Sequence, residues 1–217
     1  RVSRFACECT NMTVSPTSGT VPAGARLLAV ACLLLVPLGL AFVAFGFVRG
    51  LPDLAVSLVL AGGSDEAFGT ARPLLEVVGE RVTHVGPAGA GQVAKACNQL
   101  LVGSNLRAVA EALLLAERSG LIDPAVMREA VTGGSADSFV LQNQGLRMLE
   151  ADFQPGFKAG LHAKDARIVV SLAESADSPV EAFELTRQAL DRLVDSGRGA
   201  ADHSAIIEVL REEDEAS

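Results

Sequence analysis

Residues 86–98 read Gly86-Pro87-Ala88-Gly89-Ala90-Gly91-Gln92-Val93-Ala94-Lys95-Ala96-Cys97-Asn98. Downstream, Val93, Cys97, Leu100, Leu101, Ser104, Ala108, Ala112 and Leu115 recur every three or four positions. That spacing predicts one long helix over residues 87–118, stopped by Gly120. The three glycines then sit at the helix mouth, where the first backbone N–H groups lack partners and the dipole is positive. Such a mouth favours an anionic group, and glycine lets a ligand approach the backbone closely. Lys95 and Asn98 are three apart, so they share a face just inside the helix. The helix end and partial burial both favour a neutral amine at Lys95, as proton transfer near neutral pH requires. Asn98 offers a donor and an acceptor to a hydroxyl or carbonyl. On spacing alone, the stretch also fits an ordinary glycine loop followed by an exposed lysine. No βαβ unit follows it, so it is not a dinucleotide fingerprint.

Outward from this helix the chain divides. Asp123-Pro124 opens a short helix with a cap and a first-turn proline. Residues 135–150, 157–176, 178–196 and 202–213 predict four more helices, punctuated by Ser178-Pro179 and by Gly197 and Gly199. Residues 86–213 therefore read as an all-α domain of about six helices. The long helix is too long and too apolar for its short neighbours to cover, so a homo-oligomer is expected. Upstream, residues 54–63 (LAVSLVLAGG) predict a buried strand and turn, and 81–85 a second short strand. Between them, Phe68, Ala71, Leu74, Leu75 and Val78 predict a helix over 65–79, with Pro73 against it. Residues 1–26 read as loop. Residues 27–49 hold an apolar block whose first twenty-two residues, 27–48, carry no charge and lie between Arg26 and Arg49. As a helix that block is long enough to cross a bilayer, N-terminus inside by the arginine bias. A buried helix or a mistranslated stretch are the alternatives.

Composition narrows the function. Lys and Arg total 18 against 26 Asp and Glu, a net charge of −8, and the only aromatics are nine Phe. Phosphate neutralisation and base stacking both lack material, which excludes a nucleic-acid scaffold. Cys7, Cys9, Cys32 and Cys97 are too scattered for a disulfide framework, and Cys7-x-Cys9 has the wrong spacing for a zinc knuckle. No metal site is expected. His84, His162 and His203 read as isolated surface or core histidines, and Lys164-Asp165 by itself as a solvated pair. The chain starts at Arg1 rather than Met, as a fragment or a processed form does.

GPAGAGQVAKACNQLL closely resembles the G-x-x-G-x-G-x-x-x-K-x-x-N motif of the β-hydroxyacid dehydrogenases, which include 3-hydroxyisobutyrate dehydrogenase and 2-hydroxy-3-oxopropionate reductase. The likeness continues through AEALLLAERSGLIDPAVMREAVTGGSADSFVLQNQGLRMLEADFQPGF into the Lys164-Asp165 helix. GGSDEAFGTARPLLEVVGERVTHVGPAGAG resembles the family's link between its two domains, so the match covers residues 54–210. The resemblance implies a mainly α chain: an all-α C-terminal domain of the 6-phosphogluconate dehydrogenase type over 86–213, preceded by a remnant of an α/β Rossmann domain over 54–85. It implies an NAD- or NADP-dependent oxidoreductase acting on a small β-hydroxyacid or its semialdehyde. Lys95 is then the catalytic acid/base, Asn98 and the backbone at Gly89 hold substrate, and Lys164 lies near the cofactor or substrate. Ser15-Pro16-Thr17-Ser18-Gly19-Thr20 resembles the family's A-P-V-S-G-G loop, making Ser18 and Gly19 substrate contacts.

The sequence also departs from the family. Residues 1–85 contain no G-x-G-x-x-G, and most of a Rossmann domain is missing. Removing residues 28–53 would restore a family-like sequence, so an insertion or frame error competes with the membrane span. The resemblance implies a cytoplasmic protein, the apolar block a single-pass anchored one. A non-catalytic helical association module or a membrane-tethered pseudoenzyme is the rival function, and the chain alone is expected not to turn over substrate.

Overall fold

A computed structural model describes residues 41–46 and 58–215 of the chain. These residues are mostly helical and fall into two compact units, Arg1–Lys95 and Ala96–Ser217. The described part of the first unit runs β1 (Ala41–Gly46), β2 (Leu58–Gly62), α1 (Asp65–Val78) and β3 (Arg81–Gly86). The sheet order is β1-β2-β3, with β1 antiparallel to β2 and β2 parallel to β3. The parallel pair aligns Leu58 with Arg81 and Ala61 with His84, and α1 is its crossover. Val59, Ala61, Ala71 and Leu75 form a small core, joined by Phe68 and Val82. Ser64 caps α1 by accepting from the Ala67 amide at 3.2 Å. Helix α1 continues past Pro73, because Ala71 and Leu75 on either side are buried. His84 Nε2 donates to Gly63 O at 2.9 Å, and the ring stacks on Phe68 at 4.6 Å, tying β3 to the turn before α1.

The apolar block does not continue as a helix through its end. Ala41–Gly46 is the strand β1, whose backbone groups pair along the edge of β2. Phe42, Val43 and Phe45 are residues that strands favour, and an open sheet edge was there to receive them. Residues 1–40, which hold Cys7, Cys9, Ser18, Gly19 and Cys32, lie outside the described residues, as do 47–57.

Helix α2 (Ala90–Ser119) belongs to both units, and α3 (Pro124–Val131), α4 (Phe139–Glu150), α5 (Ala159–Ser175), α6 (Glu181–Leu193) and α7 (Ile206–Glu215) to the second. Asp123 and Ser138 cap α3 and α4 through side-chain oxygens. The core of the second unit gathers Leu106, Leu113, Met148, Phe183, Leu190 and Ile206. Among the described residues, α2 is the helix long and apolar enough to cross a membrane, and in this fold it supplies core. The stripe it buries differs from the one its periodicity suggested. Ala96, Gln99, Gly103, Leu106, Ala110 and Leu113 face inward, whereas Val93, Cys97, Leu101, Ala108, Ala112 and Leu115 are exposed. The helix is apolar on both sides, so a period of 3.6 fits either stripe, and the small residues Ala96, Gly103 and Ala110 select the close-packed one. A Cβ on Gly103 would stand 2.7 Å from the Phe183 ring.

His162 and His203 are not isolated. Their Nδ1 atoms lie 2.8 Å apart in the core, joining α5 to the short helical turn His203–Ala205. One Nδ1 must donate and the other accept, so the two imidazoles cannot both be charged there. Beside them Asp202 is buried and accepts from the amides of Gly156, Phe157 and Ser204 and from the Ser204 hydroxyl. Burial alone would raise its carboxyl, but His203 and these hydrogen bonds outweigh that and hold it below the usual range. Burial pushes the His203 imidazole down to about 4, the Asp202 charge opposing and Arg147 adding to the effect.

The depressed histidine sets a pH dependence. Folded His203 stays neutral where the unfolded chain, with its ordinary value of 6.5, already binds a proton. Stability is therefore full above about pH 6.5 and falls as the pH drops toward 4, by about 3 kcal/mol at the lower end. Urea unfolding of the chain, followed by far-UV circular dichroism at pH 7, 5.5 and 4, should register this loss. His203→Leu should flatten the dependence across that interval.

Candidate functional site

The mouth of α2 is built by packing. Gly86 at φ +130° and Gly89 at φ +96° hold turn conformations that a Cβ disfavours. The Ala90 amide donates to Pro87 O at 3.0 Å, and the amides of Gln92 and Val93 donate to Gly89 O. A Cβ on Gly91 would stand 2.8 Å from Leu60 O, and one on Gly62 would stand 2.8 Å from Gly91 N and Pro87 O. Gly62 and Gly91 thus let the start of α2 approach β2 backbone to backbone. The sequence offered glycine there for close approach of a ligand, and this backbone packing is a role that it did not announce. Lys95 follows, half-buried, in the second turn of the helix.

One turn further on begins a chain of hydrogen bonds that the sequence does not announce. Asn98 Nδ2 donates to Gln99 Oε1 at 2.9 Å, and Gln99 Nε2 donates to Asp165 Oδ2 at 2.8 Å. Asp165 Oδ1 in turn holds the Lys164 ammonium at 3.1 Å. Gln99 is buried, Asn98 and Asp165 are half-buried and Lys164 is exposed, so the chain runs from a partly open amide through the interior to an open cation. The Asn98 end of one motif and the Lys164-Asp165 pair are thereby joined across sixty-six positions of sequence. Lys164-Asp165 is therefore more than a solvated surface pair.

Gln99, with the bond that joins it to Asp165, is what sequence reasoning missed. A signal existed: Gln99 falls in the stripe Ala96, Gly103, Leu106, whose other members are small or apolar. An amide at such a position needs a buried partner. Selecting the other stripe of α2 hid it. Ser18 and Gly19 lie outside the described residues. Among the described residues no cluster of His, Cys, Asp or Glu could hold a metal ion.

Comparison with known proteins gives this arrangement a context. The family described as NAD-binding of NADP-dependent 3-hydroxyisobutyrate dehydrogenase matches residues 89–210. The chain is 36% identical over 152 residues to 2-hydroxy-3-oxopropionate reductase of Escherichia coli K12, covering 70% of this chain and 52% of that protein. It is 32% identical over 154 residues to L-threonate dehydrogenase of the same organism, covering 70% of this chain and 50% of the relative. Among solved structures, 3-hydroxyisobutyrate dehydrogenase from Salmonella typhimurium superposes with a TM-score of 0.70 at 28% identity, covering 86% of this chain and 66% of that one. The chain spans about half the length of the curated relatives it matches.

The glycine packing yields a test on stability. Gly91→Ala forces a methyl into a backbone oxygen and should destabilise the chain by about 1–3 kcal/mol. Gly69→Ala, in the interior of α1 with nothing within 4 Å, should instead stabilise it by about 0.5–1 kcal/mol. Urea unfolding of both variants against the parent chain gives the comparison.

Proposed function

Because the chain belongs to the NAD-binding family of NADP-dependent 3-hydroxyisobutyrate dehydrogenase, we propose that it supplies the substrate-holding and proton-moving half of an oxidoreductase for small β-hydroxyacids or their semialdehydes. The observation that carries this reading is the hydrogen-bonded chain Asn98–Gln99–Asp165–Lys164, with Lys95 three residues before Asn98 on the same helix. In this reading Lys95 is the acid/base: its ammonium gives a proton to the carbonyl oxygen on reduction, and its amine takes one from the hydroxyl on oxidation. Asn98, with the backbone at Gly89, holds the substrate's oxygens. Ser18 and Gly19 enter as substrate contacts through their resemblance alone.

The donor chemistry of Lys164 suits a nicotinamide dinucleotide. Its exposed ammonium gives one contact to Asp165 and keeps further N–H donors for an amide or phosphate oxygen. NAD or NADP, when bound, supplies or accepts the hydride. We read β2–α1–β3 as the surviving strand–helix–strand of a dinucleotide-binding domain, and residues 86–213 as the helical domain of the 6-phosphogluconate dehydrogenase type. By its resemblance to the family we propose a cytoplasmic protein. The chain alone is expected to bind substrate and not to turn it over.

The test joins the chain to the dinucleotide-binding domain of a relative and follows NADH and NADPH absorbance with a panel of semialdehydes. Lys95→Ala should lower kcat by roughly 10²–10⁴-fold. Lys95→Arg should be nearly as poor, since guanidinium does not release its proton near neutral pH. Full activity in either variant would remove Lys95 from the mechanism.

We also propose a homo-oligomer. Leu101 and Leu115 on α2 are 62% and 72% exposed, and Leu161, Ile168 and Leu185 add apolar surface on α5 and α6. Multi-angle light scattering of the chain should return at least a dimer mass, whereas a compact monomer at high concentration would contradict this.

A further inference from the structure

Gln99 is a carboxamide with two unlike ends, and the structure fixes which way round it sits. Asp165 presents a carboxylate oxygen, which when ionised only accepts, so the end of Gln99 at 2.8 Å from it must be Nε2. Its other end, Oε1, then faces Asn98 as an acceptor. Asn98 can meet that acceptor only with Nδ2, at 2.9 Å. A planar carboxamide carries its oxygen on the opposite side of Cγ from its nitrogen, so Asn98 Oδ1 is turned away from Gln99. Reversing Asn98 would set oxygen against oxygen, and reversing Gln99 would set its oxygen against the Asp165 carboxylate. Both reversals lose a hydrogen bond, and the second also sets oxygen against a half-buried carboxylate. The orientation is imposed from Asp165 outward.

We propose that Gln99 is a positioning residue through which the Asp165 charge commits Asn98 to offer its Oδ1 to ligands, so that Asn98 selects a donor group, the hydroxyl of a hydroxyacid. A carbonyl or ether oxygen in the same place has no hydrogen to give Oδ1, and Asn98 can meet it only with the second Nδ2 hydrogen. The proposal rests on the functional reading above for the claim that Asn98 meets substrate. The orientation itself needs no ligand. It also gives a reason for a buried amide in an otherwise apolar stripe: an apolar residue there would pack, but it would leave Asn98 free to turn over.

The experiment uses the full chain, ¹⁵N-labelled, with Gln99→Met and Asp165→Leu as separate variants. Without ligand, the Asn98 Nδ2 side-chain resonance should shift, and its protons exchange faster with water, in both variants. 3-Hydroxyisobutyrate and isobutyrate, which differ by the hydroxyl alone, are then titrated. The parent chain should prefer the hydroxyacid by about tenfold, the value of one net hydrogen bond. Both variants should bind the two acids within about twofold of each other, a change that loss of packing alone would not produce. An unchanged Asn98 resonance in either folded variant, or an undiminished preference, would overturn the proposal. Should Gln99→Met fail to fold, Asp165→Leu, which takes away the acceptor that orients Gln99, decides it. If the parent chain binds neither acid, the functional reading and the hydroxyl selection fall together. The Asn98 resonance then still decides whether Gln99 positions that amide.

Discussion

A buried amide must be paired, and in this chain the pairing of Gln99 with Asp165 sets how two distant motifs meet. Leaving either group unsatisfied in the interior costs about 1–3 kcal/mol, more for the charged one. That penalty disfavours any register of α2 against α5 that separates them. Gly103, on the same face of α2, leaves room for Phe183 and the His162 ring, 2.7 and 3.3 Å from where its Cβ would stand. Asn98 and Lys164 flank the two ends of the Gln99–Asp165 bond and are carried into place by it. Packing alone would permit sliding by a turn; the polar pair does not.

A second buried polar knot lies one turn away on α5. Asp202 gathers the amides of Gly156, Phe157 and Ser204, and His203 meets His162 beside it. The segment Gly156–Phe157, the start of α5 and the turn before α7 are thus held by one carboxylate and one shared imidazole proton. His162 lies two residues before Lys164, so the knot and the candidate site share a single helix, and neither can shift without the other. Gly103 sits where a methyl would enter both Phe183 and the His162 ring.

Much of this was legible in the sequence. The elements after residue 58 follow from periodicity, caps and breakers, because local signals such as Ser64, Asp123-Pro124 and Ser138 act over three or four residues. Helix ends moved by a few positions, as at Pro87 and Ala88, which belong to the turn before α2. The strand β1 was not legible, since Phe42, Val43 and Phe45 sit inside an apolar run that fits a helix equally well, and only its pairing with β2 decides. The same ambiguity concealed the buried stripe of α2. At the site, Lys95, Asn98 and the Lys164-Asp165 pair could be named from their motifs, but Gln99 and the bond that joins it to Asp165 could not. Both depend on a contact between residues far apart in sequence. The histidine pair was invisible for the same reason.

The measurement that bears most directly on this account is a double-mutant cycle on the Gln99–Asp165 pair, read by urea unfolding of the chain. Gln99→Leu, Asp165→Leu and the double variant are compared with the parent. Each single change takes the bond away from one partner and leaves the other in place, while the double change removes both. The double variant should therefore lose less stability than the two single losses added, with a coupling of about 1.5–3 kcal/mol for a bond to a charged group. Losses that add to within about 0.5 kcal/mol would mean the pair is not coupled, and the two motifs would have to be brought together by packing alone.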